Sequence, residues 1–192
     1  MKRIVLLISF LAVLGLCASA QTYIDFHQMP LAKTPTLMPD FYPEGMNLYW
    51  DNFYYVTPGL WSGAGQGFWV DPATQHNTVA FIGGPLCTLD IPCNGSIKIS
   101  QIMMHPGNQT FTPMSISMSA GWVPNTVTVT AYNNSTFVGR VTWKLTTKPQ
   151  TFSFPAAWNV TQLVFTPDIA ISNAVHPQAG SMVIYTFILM EH

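Results

Sequence analysis

Strict alternation between apolar and small polar residues is the feature that most constrains the fold of this chain. Over residues 114–119 methionine and isoleucine alternate with serine, and over 126–132 valine and alanine alternate with threonine. A period of two turns one row of side chains toward a core and the other toward water, as in antiparallel sheets. We therefore predict an all-β chain.

Further segments have the length and residue types of strands, and Gly, Pro and Asn separate them. They are 48–56, 78–82, 96–104, 137–145, 151–154, 162–165 and 182–189. The turn 133–136 joins two of the strands in a hairpin, and the proline-rich stretch 29–45 predicts an irregular entry loop. About nine strands in one chain predict a single antiparallel β-sandwich or jelly roll.

Residues 1–20 have the pattern of a secretory signal peptide. Lys2 and Arg3 precede a mostly apolar run, and Ala18, Ser19 and Ala20 form a small-residue cleavage site. The run is too short to span a bilayer. We predict that this leader is removed, that residues 21–192 form one domain, and that the protein is extracellular and has no transmembrane segment.

The composition of the chain argues against disorder and against nucleic acid as a partner. Charged residues make up 8% of it, against about 25% in ordinary globular domains. The 48% of hydrophobic residues argues against disorder. After the leader, five Lys and Arg stand against eight Asp and Glu, and the cations form no cluster of the kind that binds nucleic acid. A neutral surface of this kind favours hydrogen-bonded contacts in a wall or matrix.

Extracellular chemistry predicts two kinds of covalent modification. Cys87 and Cys93 remain after the leader is removed, and in an oxidising compartment we expect them to form a disulfide. Five Asn-x-Ser/Thr triplets lie at turn-like places, which favours a glycoprotein. Their asparagines are Asn94, Asn108, Asn133, Asn134 and Asn159.

Catalytic and metal-binding patterns are weak. The five histidines are scattered singly, without the spacing of metal ligands. Residues 61–65 lack the glycine that precedes the serine of a nucleophile elbow. We therefore predict a protein that is not an enzyme and has no resident metal. A hydrolase that uses Glu44 and Asp51 is the least favoured alternative.

Aromatic residues crowd the stretch 50–69, and two interpretations are open. In one, the rings fill the core of the sandwich. In the other, some of them form an exposed platform on which sugar rings stack, beside polar side chains that hold the hydroxyl groups. The ligand-binding residues of the second interpretation are Trp50, Asp51, Asn52, Tyr54, Trp61 and Trp69.

The chain resembles secreted jelly-roll modules of the galactose-binding-like, carbohydrate-binding type. The matching features are 24–26 (Ile-Asp-Phe) followed by Met29 and Pro30, then 48–54, 127–132 and 158–165, and an apolar closing strand. The resemblance implies a β-sandwich that binds glycans. It also implies a calcium ion near the first and last strands, for which Asp25 has the first position, although residues 184–187 contain no carboxylate.

These observations favour a secreted, non-catalytic β-sandwich that binds carbohydrate at a cell wall, matrix or host surface. The alternative is a structural or self-assembling extracellular protein that has no glycan ligand.

Overall fold

A computed structural model describes residues 21–44, 46, 48–60, 77–82, 95–99, 109–167 and 182–192. The predicted leader and the predicted disulfide between Cys87 and Cys93 lie outside these residues. The described chain consists of strands, turns and one short 3-10 helix, Pro58–Leu60.

Twelve strands are present in the described residues. They are β1 (Gln21–Asp25), β2 (Thr36–Leu37), β3 (Leu48–Asp51), β4 (Tyr54–Val56), β5 (Val79–Ile82), β6 (Gly95–Ile99), β7 (Phe111–Ala120), β8 (Asn125–Asn133), β9 (Thr136–Leu145), β10 (Gln150–Ser153), β11 (Gln162–Pro167) and β12 (Met182–Glu191).

The strands form two antiparallel sheets. The seven-stranded sheet has the order β10-β7-β12-β5-β4-β2, with β1 paired to β12, and the five-stranded sheet has the order β3-β6-β11-β8-β9. Apolar side chains of both sheets share one buried cluster. A Cβ atom on Gly95 of β6 would lie 2.6 Å from Cδ1 of Ile82 on β5, so the sheets pack face to face. The predicted all-β sandwich is confirmed.

The β8–β9 hairpin follows the alternation in the sequence. Val127, Val129 and Ala131 are buried, and the threonines between them are half-buried. Asn133 pairs with Thr136 across a two-residue loop. Asn134 begins this loop with φ 53°, the left-handed region that asparagine tolerates in hairpin turns.

One predicted strand is wrong in its extent. Residues 48–56 form two strands that belong to different sheets, with β3 in the five-stranded sheet and β4 in the seven-stranded sheet. Asn52, between them, has φ 59°, which extended strand backbone does not adopt. The chain therefore turns at Asn52 and crosses from one sheet to the other.

The pairing of β7 with β12 contains two opposed irregularities. Tyr185 is an extra residue on β12, and Met114 is an extra residue on β7, so the register is restored beyond the second bulge. The extra residue leaves Met114 half-buried, whereas Ile116 and Met118 are buried. The predicted common face of these three residues is therefore correct for two of them.

Candidate functional site

Trp50 lies in the core and cannot be a sugar-stacking residue in this structure. Its side chain is 2% exposed, and its ring makes edge contacts with Phe26 and Phe53 at centroid distances of 5.6 and 5.2 Å. Its indole Nε1 donates to the backbone oxygen of Tyr42 at 2.7 Å. Because β3 alternates, Trp50 points inward while its neighbours Tyr49 and Asp51 point outward.

The remaining predicted ligand residues do not form one site in the described structure. Asp51 is half-buried on β3, where it accepts a hydrogen bond from Ser96 Oγ at 3.4 Å. Asn52 is exposed at the crossing between the sheets. Tyr54 belongs to the other sheet, and its ring centroid is 6.0 Å from that of Phe81. Trp61 and Trp69 lie outside the described residues.

The seven-stranded sheet has a second buried cluster on the face directed away from the sandwich core. Its buried members are Val56, Val79, Phe81, Trp122 and Val183, and Tyr54 and Tyr185 pack against them. Strand β5 is therefore buried on both faces. This cluster accounts for Tyr54 as a packing residue, whereas Tyr55 of the same strand packs against the sandwich core.

The outer face of the five-stranded sheet brings together a set of side chains that sequence spacing did not reveal. Strand pairing places Tyr49, Gln162, Tyr132 and Phe137 in one row across β3, β11, β8 and β9, and Lys98 of β6 holds the register position between Tyr49 and Gln162. The neighbours of the first three along their strands, such as Leu163 and Ala131, are in the core. We call Tyr49, Gln162, Tyr132 and Phe137 the outer row.

An aromatic pair lies at each end of the outer row. The ring of Tyr49 contacts Phe41 edge to face at 6.1 Å, and Tyr132 contacts Phe137 in the same manner at 6.3 Å. Phe41 and Phe137 are 43% and 59% exposed. Three strand spacings separate β3 from β8, or about 14 Å, so the pairs are separate.

Polar side chains occupy the space between and beside the aromatic pairs. Gln162 is half-buried in the outer row itself. The next row on the same face, two residues further along β3, consists of Asp51, Ser96, Val164, Thr130 and Arg140, in order from β3 to β9. Threonine hydroxyls of β8 and β9 continue this polar surface, with Oγ1 of Thr128 and Thr142 3.1 Å apart.

No metal site is assembled by the described residues, among which no three His, Cys, Asp or Glu side chains converge. Asp25, the carboxylate assigned to a calcium by resemblance, accepts a hydrogen bond from the backbone nitrogen of His27 at 3.1 Å. Its other oxygen lies 3.3 Å from His27 Nδ1. Within the same part of the chain, no helix has the length and apolar character needed to cross a membrane.

Three predicted glycosylation asparagines come together at one end of the five-stranded sheet. Asn133 and Asn134 are in the β8–β9 turn, and Asn133 Nδ2 donates to the backbone oxygen of Asn159 at 3.2 Å. Asn94 and Asn108 lie outside the described residues.

Comparison with protein-family models finds no match, and comparison with curated proteins finds none either. The strand arrangement is similar to that of several solved structures. A carbohydrate-binding module of family 29 is 10% identical, with 90% of this chain and 89% of that chain covered and a TM-score of 0.41. A DUF4465 family protein from Bacteroides ovatus is 9% identical, with coverages of 91% and 100% and a TM-score of 0.49.

A third similar structure is the family 32 module of C. perfringens NanJ in complex with galactose. It is 11% identical, with 88% of this chain and 92% of that chain covered and a TM-score of 0.35. At identities of 9–11%, the three structures are similar to this chain in strand arrangement only.

Proposed function

We propose that this chain is a secreted, non-catalytic carbohydrate-binding β-sandwich and that it binds glycan on the outer face of the five-stranded sheet. The observation that supports this most directly is the outer row, in which aromatic pairs flank the polar side chain of Gln162. The proposal moves the predicted binding surface from the stretch 50–69 to a different part of the fold and keeps Asp51.

The chemistry of the outer row suits a sugar better than it suits an apolar ligand. Aromatic rings present flat apolar faces for the C–H surface of a pyranose, and amide and hydroxyl groups hydrogen-bond its hydroxyls. Asp51 stands against the exposed cations Arg140 and Lys144 of β9, and Lys98 of β6 holds the register position between Tyr49 and Gln162. We therefore infer a glycan that runs across the strands, and the cations admit acidic as well as neutral sugars.

Secretion and the absence of catalysis are part of the same proposal. The leader pattern of residues 1–20 supports export. In the described structure Glu44 is exposed in the loop before β3 and Asp51 is half-buried beside Ser96. The Glu44 side chain therefore lies in solvent and not in an apolar pocket of the kind that holds the general acid of a glycosidase.

Among the described strands, β9 lies at an edge of the five-stranded sheet, and this position bears on the alternative of a self-assembling protein. Strand β9 is ten residues long and ends the strand order of the sheet. Arg140 and Lys144 are exposed on it, and cations on an edge strand oppose pairing with a second copy. This arrangement favours a sheet that presents its face to a ligand.

The test is binding of the oxidised protein 21–192 to a panel of neutral and acidic polysaccharides by affinity electrophoresis and calorimetry, with calcium and with chelator. We expect saturable binding that free sugar displaces. Tyr132→Ala and Tyr49→Ala should each weaken it about fivefold or more, because one ring contact contributes about 1 kcal/mol beyond its buried area. Tyr23→Ala is the matched control, since Tyr23 is 58% exposed on β1 of the other sheet.

Two outcomes would redirect the proposal. If Tyr132→Ala binds as well as the unchanged protein and Trp61→Ala or Trp69→Ala does not, the aromatic stretch 50–69 is the site. If no polysaccharide binds and the folded protein associates as its concentration rises, the protein is structural.

A further inference from the structure

Two cations stand on the outer face of β9, at one end of the outer row. Arg140 and Lys144 are both exposed on this strand. The alternate residues Val141 and Trp143 pack against the core. Because residues an even number apart on a strand share a face, both cations point away from the core. Four residues of strand separate them, which is about 14 Å.

The described acidic groups do not neutralise these two cations. In the described part of the chain neither Arg140 nor Lys144 forms an ion pair, and their partners on β8 are the uncharged Thr130 and Thr126. Asp51, the carboxylate in the row of Arg140, is four strands away on β3. That distance of about 19 Å is longer than the screening length of about 8 Å at physiological ionic strength. The β9 end of the face therefore keeps a positive charge.

Arg140 lies beside the aromatic pair at this end of the outer row. Its partner Thr130 is two residues from Tyr132 on β8, so the two rows are about 7 Å apart. Tyr132 contacts Phe137 at 6.3 Å, and Phe137 is 59% exposed. An exposed ring and an exposed guanidinium are thus neighbours on one face, close enough for a single sugar unit to contact both.

We propose that the β9 end of the outer row binds an acidic sugar unit, a uronic acid, and that Arg140 holds its carboxylate. The guanidinium is a planar fork of donors that fits a carboxylate with two parallel hydrogen bonds. Tyr132 and Phe137 supply the apolar contact with the sugar ring. This inference rests on the proposed function and adds to it the charge of the ligand.

The geometry favours one specific contact over attraction by charge alone. Threonine hydroxyls fill the row between the two cations, with Oγ1 of Thr128 and Thr142 3.1 Å apart. Lys144, about 14 Å from Arg140, is too far away to touch a sugar unit that lies on the aromatic pair. We therefore assign the carboxylate contact to Arg140, whereas Lys144 contributes to the field that attracts an acidic ligand.

A ligand that exists with and without its charge tests this assignment. Oligomers of galacturonic acid carry one carboxylate on each unit, and their methyl esters have the same backbone without the charge. Binding of the oxidised protein 21–192 to both forms is measured by calorimetry, with chelator because calcium cross-links the acid form. We expect the acid form to bind about tenfold more tightly, and the difference should shrink as the salt concentration rises.

Three variants separate the contact from the overall charge. Arg140→Gln should make the affinities for the two forms about equal, and Arg140→Lys, which keeps the charge and loses the fork, should keep part of the difference. Lys33→Gln is the matched control, because it removes the same charge from an exposed position in the loop before β2 and should keep all of it. Size-exclusion chromatography checks that each variant has the same state of association as the unchanged protein, since cations on an edge strand oppose pairing.

Equal affinities for the two forms, tighter binding of the ester, or a preference that Arg140→Gln leaves intact would overturn the inference. So would a preference that Lys33→Gln lowers as much as Arg140→Gln, because net charge would then explain it. If neutral polysaccharides bind and Tyr132→Ala weakens that binding, the proposed function stands without the acidic ligand. If no polysaccharide of either kind binds, the proposed function and this inference both fail.

Discussion

The indole Nε1 of Trp50 donates a 2.7 Å hydrogen bond to the backbone oxygen of Tyr42. This bond joins β3 to the loop that precedes it, and Phe26 packs against both rings, stacked on Tyr42 and edge-on to Trp50. The entry loop is thus anchored to the core by a tryptophan that satisfies its one polar atom internally.

Trp50→Phe should lower the free energy of unfolding by about 1–3 kcal/mol, because the buried Tyr42 oxygen loses its donor. Urea unfolding followed by circular dichroism measures this loss. Polysaccharide binding by the folded variant should be unchanged. A variant of normal stability that no longer binds would instead place Trp50 at the ligand.

Asn52 should be sensitive to substitution because its φ of 59° suits glycine better than alanine. We expect Asn52→Ala to destabilise the protein by about 1–2 kcal/mol. Asn52→Gly is the matched control, since glycine adopts this backbone without a steric penalty. Equal unfolding midpoints for the two variants would show that the asparagine side chain, and not the backbone, is what matters there.

Gly139 on β9 is covered by an aromatic ring. A Cβ atom at this position would lie 2.8 Å from Nε1 of Trp158, which is 5% exposed in the core cluster. Gly139→Ala should therefore cost about 1–3 kcal/mol of stability through overpacking. The loss should be smaller in a Trp158→Phe background, and additive losses in thermal unfolding would rule out a direct clash.

Alkaline pH should destabilise the protein through Tyr42. Burial, with a smaller effect from the charge of Asp25, raises the pKa of the Tyr42 hydroxyl, which donates to the backbone oxygen of Asp25. The folded state therefore prefers the neutral phenol. The neutral Tyr42 phenol makes its full contribution to stability below the unfolded-state pKa of about 10. This contribution is lost as the pH rises above that value.

Tyr42→Phe checks this prediction by urea unfolding at neutral pH and above pH ~10. The difference in stability between the unchanged protein and the variant should shrink as the pH rises. A difference that stays constant across this range would show that Tyr42 does not titrate with unfolding.

The strands were predictable from the sequence where one face of a strand is buried and the other is exposed to solvent. The alternation in β8 matches its observed burial, and the turn residues Asn133 and Asn134 mark the hairpin. Alternation failed at Met114, because a bulge changes which face a residue occupies, and a bulge depends on the partner strand.

The candidate site was less accessible to sequence reasoning. Its outer row takes one side chain each from β3, β8, β9 and β11, so no local spacing connects them. A weak signal was present in Tyr132, an aromatic residue that continues the polar face of the threonines on β8. The aromatic-rich stretch 50–69 was the stronger signal for a binding site. Its Trp50 lies in the core, however, and its Tyr54 packs against the second buried cluster.

Local sequence determined the elements, because hydrophobic period, turn residues and composition act within a few positions of the chain. They specify antiparallel strands, the hairpin and a sandwich with few charges. Tertiary structure decided which sheet each strand joined, where the chain crossed at Asn52, and which side chains of distant strands lie side by side. Those outcomes depend on pairing between residues far apart in sequence, and that pairing places the side chains of the outer row on one face of the five-stranded sheet.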